Sequence, residues 1–488
     1  MIKNNNQNQI AIDFYLPFGG KLNSENRWVK LAAIMPWDEI QTVYESSLNS
    51  SQGSPSIPSR IAVGALIIKH IDSLTDESTI EQIRENPYYQ YFLGYHGFTD
   101  KQVFTPSLFV SIRNRLGLEN IQKITETLIK KTEHQQKTEK ENKDEDNNDD
   151  TREGMLIIDA TVAPSDIAYP TDTNLLNKAR EISENLIDQL WALNSIGIKP
   201  RTYRKIGRKE YLAFTRNRKK SKRKIRKVNR KQIGYLERNL RIIGTMLGYS
   251  IKPFPLSNTD QKKLWIITEL CRQQREMYDE KKNSIDGRIV SLQQPHIRPI
   301  QRGKAGKKTE FGAKINAAYV NGLLLIDHLS WDNFIESKDL EMQVENYRSR
   351  FGYYPESVNA DKIYWTRKNR LYCKGKGINL YGGSPLGRPP KIQKTPAEKR
   401  KIKKEAGKRN RIEGVFGNSK RRFGLDLVMT KTARTSENWI AMVIFVMNLL
   451  KIVRDNFLSK FVLWHIRIYC YKIKQFCLKQ PCQQIVYM

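Results

Sequence analysis

Residues 154–166 read GMLIIDATVAPSD, and this stretch decides the fold. Its four consecutive apolar residues, 155–158, predict a strand that is buried on both faces, because such a strand shows no alternation of polar and apolar side chains. Asp159 follows at once, so we expect its carboxylate at the end of the strand, where side chains reach a surface crevice. The stretch therefore predicts a covered sheet with an acid at its edge.

The chain before this strand has a helical pattern. Residues 59–74 carry apolar residues on a helical period, residues 75–94 open with a capping Thr75 and close at Gly94, and residues 105–117 begin with Thr-Pro-Ser and end with Arg-Leu-Gly. Short helices that end in one with exposed Arg113 and Arg115 suit a helix-turn-helix-like DNA-binding unit. A helical bundle used for dimerisation explains the pattern nearly as well. We expect an all-helical N-terminal domain over residues 1–131.

Residues 132–151 are expected to form an acidic, disordered linker, because residues 132–150 contain no hydrophobic side chain that could offset the entropy of ordering.

A strongly basic, helical segment is predicted over residues 172–300. Residues 199–231 hold 17 Lys or Arg and one acid, Glu210. Such a run can be a solvated face, but cations at this density repel each other, and a surface laid along DNA phosphates explains them better. The centre of the run supplies the predicted phosphate contacts: Lys219, Lys220, Lys222, Arg223 and Lys224.

The pattern of a sheet resumes over residues 301–455. Residues 309–332 predict two strands around the turn Asn321-Gly322, the strongest short hairpin signal. A helix is expected at about 337–351, then a short strand that ends at Asp361, then a Gly/Pro-rich loop over 374–391. A helix with Glu413 follows, and after it an apolar helix that should pack against the sheet. Residues 456–488 are expected to form a helical tail.

Asp159, Asp361 and Glu413 are candidates for one site, since two of them leave predicted strands and the third reaches over from a helix. Carboxylates that crowd together repel each other unless a cation neutralises them. An oxygen-only, acid-rich site suits Mg²⁺ or Mn²⁺, and two such ions can promote in-line attack on phosphorus.

The helix around Glu413, KRNRIEGVFGNSKRRFG at 408–424, embeds this acid among cations. At about 100° per residue, Arg409 and Lys420 fall on the same stripe as Glu413. The acid can then hold metal while the two cations hold phosphate, although an ordinary Arg–Glu pair on an exposed helix gives the same spacing. Arg411 is expected to contact phosphate as well.

Composition narrows the class of partner. The 488 residues carry 84 Lys and Arg against 51 Asp and Glu, a net charge of +33, which points to nucleic acid before a membrane or a small-molecule substrate. The five cysteines show no zinc spacing, which indicates free thiols in a reducing compartment and predicts a cytoplasmic protein. No apolar signal or uncharged run long enough to span a membrane is visible.

With these residues in place, the chain resembles insertion-sequence DDE transposases with a ribonuclease-H-like catalytic core. Their third acid lies in a Tyr-x2-Arg-x3-Glu-x6-Lys signature, and here Arg409, Glu413 and Lys420 keep the spacing while Ala406 replaces the tyrosine. Residues 158–181 are similar to the first-Asp block of these proteins, residues 359–370 to the second, and residues 65–94 to their N-terminal helical domain.

The resemblance implies an α/β ribonuclease-H-like catalytic core, a mixed sheet flanked by helices, that starts at 152–171, is interrupted by the basic helical insertion at 172–300 and resumes at 301–455. It implies that Asp159, Asp361 and Glu413 hold two Mg²⁺ or Mn²⁺ ions and that Arg409 and Lys420 contact phosphate near the cut. It also implies a dimer that cleaves inverted-repeat ends in double-stranded DNA and joins them to target DNA. The alternatives are a transposition-inactive, sequence-specific DNA-binding protein, a nuclease with the same core, and an RNA-associated basic protein, which would not explain the acids.

Overall fold

The N-terminal part of the protein is helical, as the sequence predicts. A computed structural model describes residues 14–16, 19–48, 56–138, 152–194, 198–248, 254–301, 309–383 and 395–455. The helices of the N-terminal part are α1 (Arg27–Ile34), α2 (Trp37–Glu45), α3 (Ser59–Ile71), α4 (Asp76–Glu85), α5 (Pro87–Phe92) and α6 (Leu108–Thr138).

Local signals account for several of these helix ends. The Thr75 side chain accepts a hydrogen bond from the backbone N–H of Ser78 and caps α4, as its position in the sequence suggests. Gly117 has φ of +57°, a conformation that favours glycine, and it kinks α6 where the sequence predicts a helix stop. Beyond the kink, α6 continues to Thr138, so the expectation of a disordered linker from residue 132 is wrong for its first seven residues. The remainder of the linker lies outside the described residues.

The sheet is mixed and is flanked by helices, which is compatible with a ribonuclease-H-like core. Its strands are β1 (Met155–Pro164), β2 (Arg298–Gln301), β3 (Thr309–Val320), β4 (Leu323–Ser330), β5 (Ser357–Asn359) and β6 (Asn379–Tyr381). Their order is β2-β3-β1-β5-β6, and β4 also pairs with β3. The antiparallel part comprises β1 with β3 and β3 with β2 and β4, whereas β5 and β6 run parallel to β1.

Asp159 lies in the middle of β1, so the expectation that it ends the strand is wrong. The reason is that β1 has different partners on its two sides. Pairing with β5 stops at Ile157, whereas pairing with β3 runs on to Pro164. Asp159 is therefore past the end of the strand on one side only, and that side opens toward the chain that leaves β5.

The chain between β1 and β2 forms a separate helical region, which we call the helical segment. Its helices are α7 (Asp172–Asn194), α8 (Arg204–Thr215), α9 (Lys222–Gly248) and α10 (Asn258–Asp279). They enclose a hydrophobic core of their own, with residues such as Leu176, Leu236 and Leu270 fully buried. A second, larger core joins the N-terminal helices to the sheet, so these two parts of the protein pack as one body.

The β3–β4 hairpin turns at Asn321 and Gly322, which have φ of +50° and +89°. This confirms the turn that the Asn-Gly pair predicts, because a two-residue hairpin turn of this type needs positive φ at both positions. The loop expected over residues 374–391 contains an unpredicted strand, β6, and β2 was also not foreseen. The helices that follow β4 are α11 (Leu340–Phe351) and α12 (Arg367–Gly375).

The last described helices are α13 (Pro396–Gly407), α14 (Asn410–Phe423) and α15 at Ala433–Asp455. The side-chain amide of Asn448 makes two hydrogen bonds with the backbone of Leu324, which confirms that the apolar helix packs against the sheet. Within the described ranges, α15 alone is long and apolar enough to cross a membrane, but 72% of its most apolar window is buried in the protein. That burial is typical of a core helix. The predicted tail at 456–488 lies outside the described residues.

Candidate active site

The register of two parallel strands brings Asp159 and Asp361 to the same place. Ile157 of β1 is level with Asn359 of β5, and each acid stands two residues further along its own chain. Asp361 also caps a short 3₁₀ turn, and its carboxylate accepts a hydrogen bond from the backbone N–H of Lys362 at 2.6 Å. The sequence prediction that the two acids come from neighbouring strands is thus supported by the pairing.

Helix α14 brings Glu413 and Arg409 to this edge of the sheet. The helix buries Ile412 and Phe416 on one side, and this packing turns Glu413 toward solvent and the two aspartates. Arg409 lies at the N-cap position of α14, one turn before Glu413. Its guanidinium contacts all three acids: Nη2 donates to Glu413 Oε1 at 2.7 Å, and Nη1 lies 3.3 Å from Asp159 Oδ2 and 4.0 Å from Asp361 Oδ2.

These contacts limit how far apart the carboxylates can be. Because both aspartate oxygens lie near the same nitrogen, at 3.3 and 4.0 Å, they are no more than about 7.3 Å apart. The two guanidinium nitrogens are separated by two C–N bonds of about 1.33 Å each, so Glu413 Oε1 is within about 9 Å of Asp159 Oδ2. The acids are gathered around a cation rather than scattered.

No metal-ligating cluster is preformed in the part of the chain that the structure describes, since no group of three or more His, Cys, Asp or Glu side chains is close enough to hold an ion. The chemistry of the donor set nevertheless fits a divalent cation. All donors are carboxylate oxygens, which Mg²⁺ and Mn²⁺ prefer, and the three acids already share one positive charge.

Asp159 is the most deeply placed of the three acids. The pKa of its carboxyl is raised to about 6, mainly by burial and in smaller part by the negative charges of Glu336 and Asp361, although the Ala160 N–H and Arg409 act in the opposite direction. The side chains of Asp361 and Glu413 are about half exposed. A buried acid with raised proton affinity between two exposed ones is the electrostatic state expected of carboxylates that await a cation.

Asp159 and Asp361 line one side of an open groove of about 620 Å³. Its other side carries Glu336 and Lys314, which sequence reasoning missed. Lys314 of β3 is almost fully buried, and its ammonium contacts Glu336 Oε1 at 3.0 Å and the Phe334 carbonyl at 2.7 Å. Lys314 thereby fixes the segment after β4 that forms the lip of the groove. The sequence feature that could have identified Glu336 is its position as an acid just before the predicted helix at about 337–351.

Among the predicted phosphate contacts, Lys420 lies half-buried on α14, about two turns beyond Glu413, and Arg411 is exposed on the opposite face of that helix. The predicted contacts of the helical segment, Lys219, Lys220, Lys222, Arg223 and Lys224, are all exposed, at the end of the loop between α8 and α9 and in the first turn of α9. The one acid of that run, Glu210, pairs with Lys231 and leaves these cations unopposed.

Arg113 is not an exposed DNA-binding residue. Its side chain is 3% exposed and forms a two-bond pair with Asp76, which also contacts Lys69. The expectation is wrong because the N-terminal helices pack against one another and against the chain after α14, so the face that carries Arg113 is covered. Arg115 is half-buried beside the buried Tyr44. The Arg113 side chain therefore offers no free surface for phosphate, whereas Arg115 stays partly exposed.

Comparisons with known proteins place two family matches on this fold. Residues 358–450, which include Asp361, Arg409, Glu413 and Lys420, match the transposase DDE domain. Residues 17–115 match a second transposase domain, which covers helices α1 to α5 and the start of α6. The chain is also similar to an uncharacterized protein, ORF8 in the nfe locus of Rhizobium meliloti, with 27% identity over 33% of this chain and 72% of that protein. No solved structure matches.

Proposed function

We propose that this chain, whose two family matches support an insertion-sequence DDE transposase, cuts double-stranded DNA at the inverted-repeat ends of its own element and joins those ends to target DNA. The family acts on DNA and generally uses divalent metal ions. The observation that carries the proposal for this chain is the single guanidinium of Arg409 in contact with Asp159, Asp361 and Glu413.

In this proposal Asp159, Asp361 and Glu413 hold the divalent cations, two Mg²⁺ or Mn²⁺ ions. Bound there, the ions would supply Lewis acidity for attack on phosphorus, first by water and then by the freed 3′-hydroxyl. The residues of the chain do the positioning. Asp159 is fixed by the strand pairing of β1, and the register with β5 fixes Asp361 beside it.

Arg409 and Lys420 would bind the phosphate groups on either side of the cut. A guanidinium suits this task because its planar fork of donors matches two phosphate oxygens at once. The exposed cations at the start of α9 would hold DNA further from the cut, where contacts to phosphate position the duplex without reading its sequence. The helical segment is then an insertion in a ribonuclease-H-like core. We expect a dimer that brings two element ends together, in the cytoplasm and bound to DNA.

The test uses purified protein and duplexes that carry the terminal repeats found beside the coding region. Asp159→Asn, Asp361→Asn and Glu413→Gln should each abolish cutting in Mg²⁺ or Mn²⁺, while binding of the same duplex in a mobility-shift assay survives. Asp426→Asn is the matched control, because Asp426 is an exposed acid just beyond α14 and outside the site. Full cutting by all three site variants would refute the proposed triad.

Products joined to a target plasmid distinguish a transposase from a nuclease. Cutting without joined products would leave the nuclease alternative, and binding without cutting by the unmodified protein would leave a DNA-binding protein that has lost activity.

A further inference from the structure

Helix α13 has a cationic face that forms no ion pair with any acid among the described residues. Five cations are exposed on this helix of 12 residues, and we call them the α13 cationic face: Lys399, Arg400, Lys401, Lys403 and Lys404. Within the described ranges none of the five makes an ion pair with an acid. At about 100° per residue they cover about 200° of the helix surface.

The opposite side of α13 faces the protein. Ile402, Glu405 and Ala406 fall in the remaining arc and are half-buried, and the backbone carbonyl of Glu405 accepts a hydrogen bond from Asn359 Nδ2 at 3.1 Å. Asn359 ends β5, two residues before Asp361. The helix is therefore attached beside the acids, with its cations directed away from the body of the protein.

The helix has little to stabilise it by itself. A capping box between Thr395 and Glu398 closes its N-terminus, but α13 has no fully buried residue. A helix of this length is marginal in water without packing, and the like charges at Lys399 with Lys403 and at Arg400 with Lys404 oppose it further. A bound polyanion would remove that repulsion.

We propose that the α13 cationic face binds the phosphate backbone of the DNA strand that is being cut, within a few nucleotides of the cut. The inference rests on the proposed function, because α13 runs through Lys408 directly into Arg409, whose guanidinium contacts the three acids. A strand whose phosphate lies at those acids must pass next to α13. The helix is about 18 Å long, which spans about five base steps at about 3.4 Å each.

The decisive measurement is the salt dependence of DNA binding. The triple variant Lys399→Gln/Arg400→Gln/Lys403→Gln should bind an element-end duplex with a slope of log affinity against log salt that is smaller by about 2–3, since each lost phosphate contact removes about 0.9. A scrambled duplex of equal length should show the same change, because phosphate contacts do not read sequence. Lys123→Gln/Lys130→Gln on α6 is the matched control, since both lysines are exposed on a helix remote in the chain, and it should keep the original slope.

Unchanged salt dependence in the triple variant, with its thermal unfolding also unchanged, would overturn the inference. If the triple variant bound and cut element ends normally and lost only the joining to a target plasmid, α13 would contact target DNA instead of the strand being cut. That result would likewise overturn the inference. Failure of the proposed function looks different: the unmodified protein would cut no end duplex, yet the salt slopes would still report whether α13 contacts phosphate.

Discussion

Replacing Arg409 with Gln is expected to raise the affinity of the metal-free protein for Mn²⁺. In the structure this guanidinium lies where the three carboxylates converge, so it supplies the positive charge that an entering cation would otherwise supply. A divalent ion that binds the three acids has to displace those contacts. The glutamine of the variant would keep much of the side-chain length but carry no charge to displace.

The size of the effect follows from the exposure of the partners. The side chains of Asp361 and Glu413 are 52% and 53% exposed, so solvent screening limits each ion pair with Arg409 to less than about 1 kcal/mol. Asp159 is 14% exposed, and its charged hydrogen bond at 3.3 Å contributes about 1.5 kcal/mol. With about 0.3 kcal/mol from each exposed pair, the total is near 2 kcal/mol, which corresponds to about a 30-fold gain in affinity.

The assay is calorimetric titration with Mn²⁺ at about pH 8, well above the pKa of about 6 that Asp159 has in the parent protein. Arg411→Gln is the matched control, because Arg411 is exposed on the other face of α14 and loses the same charge. Arg409→Lys should fall between the parent and the Gln variant, since one compact ammonium cannot span three carboxylates. Without metal, the unfolding temperature of Arg409→Gln should be lower than that of the parent, because the carboxylates repel each other when the guanidinium is absent.

Equal Mn²⁺ affinity in the parent and Arg409→Gln would refute the idea that Arg409 competes with the cation. Weaker binding by the variant would show instead that Arg409 organises the acids for the ion. An equal gain in Mn²⁺ affinity in the Arg411→Gln control would show that the effect comes only from the lower net charge of the protein.

Two further predictions concern the junction of the N-terminal helices with the chain after α14. His70 is buried against Trp439, and burial lowers its pKa to about 3. In the unfolded chain this imidazole takes up a proton near pH 6.5, whereas in the folded protein it stays neutral until the pH is much lower. The free energy of unfolding should therefore fall by about 1.4 kcal/mol for each pH unit between about pH 6 and 4, and His70→Phe should remove this contribution. Urea unfolding at several pH values would show the change; an equal dependence of stability on pH in the parent and in His70→Phe would contradict it. Arg113→Met should cost about 3 kcal/mol of stability, since Asp76 keeps only Lys69, and should leave the salt dependence of DNA binding unchanged; weaker DNA binding with normal unfolding would contradict the buried pairing.

The elements that the sequence predicts well are those with strong local signals. The hairpin at Asn321-Gly322 follows from the backbone conformation that this pair favours, and the kink in α6 at Gly117, where the sequence predicts a helix stop, follows from the same property of glycine. The order of the three acids along the chain also predicts that they converge, because two of them follow predicted strands and the third reaches over from a helix. These predictions need only neighbouring residues or chain order.

Other features depend on packing between distant parts of the chain. The pairing of β1 with β3 extends seven residues beyond the point where β1 stops pairing with β5. No residue within β1 indicates this difference, so the central position of Asp159 could not be predicted from the sequence of β1 alone. Arg113 looks like an exposed cation until Asp76, on another helix, is placed against it. The short strands β2 and β6 have too few residues to show a period.

The role of Arg409 shows the same limit for the site. Its spacing to Glu413 identifies a pair on one helix, and the structure contains that pair at 2.7 Å. The contacts with Asp159 and Asp361 come from residues 250 and 48 positions away, and no helical period predicts them. The spacing therefore predicts the partner on the helix, but not that one side chain would contact all three acids of the site.

The two separate hydrophobic cores have a consequence for how such proteins diversify. The interior of the helical segment is made by residues between Leu175 and Ile289, whereas the strands that carry the aspartates are buried in the other core. Mutations inside the segment can accumulate, or a whole replacement can be grafted between β1 and β2, without loosening the scaffold that aligns the acids. A lineage could in this way acquire a new grip on DNA while its cutting machinery is inherited intact.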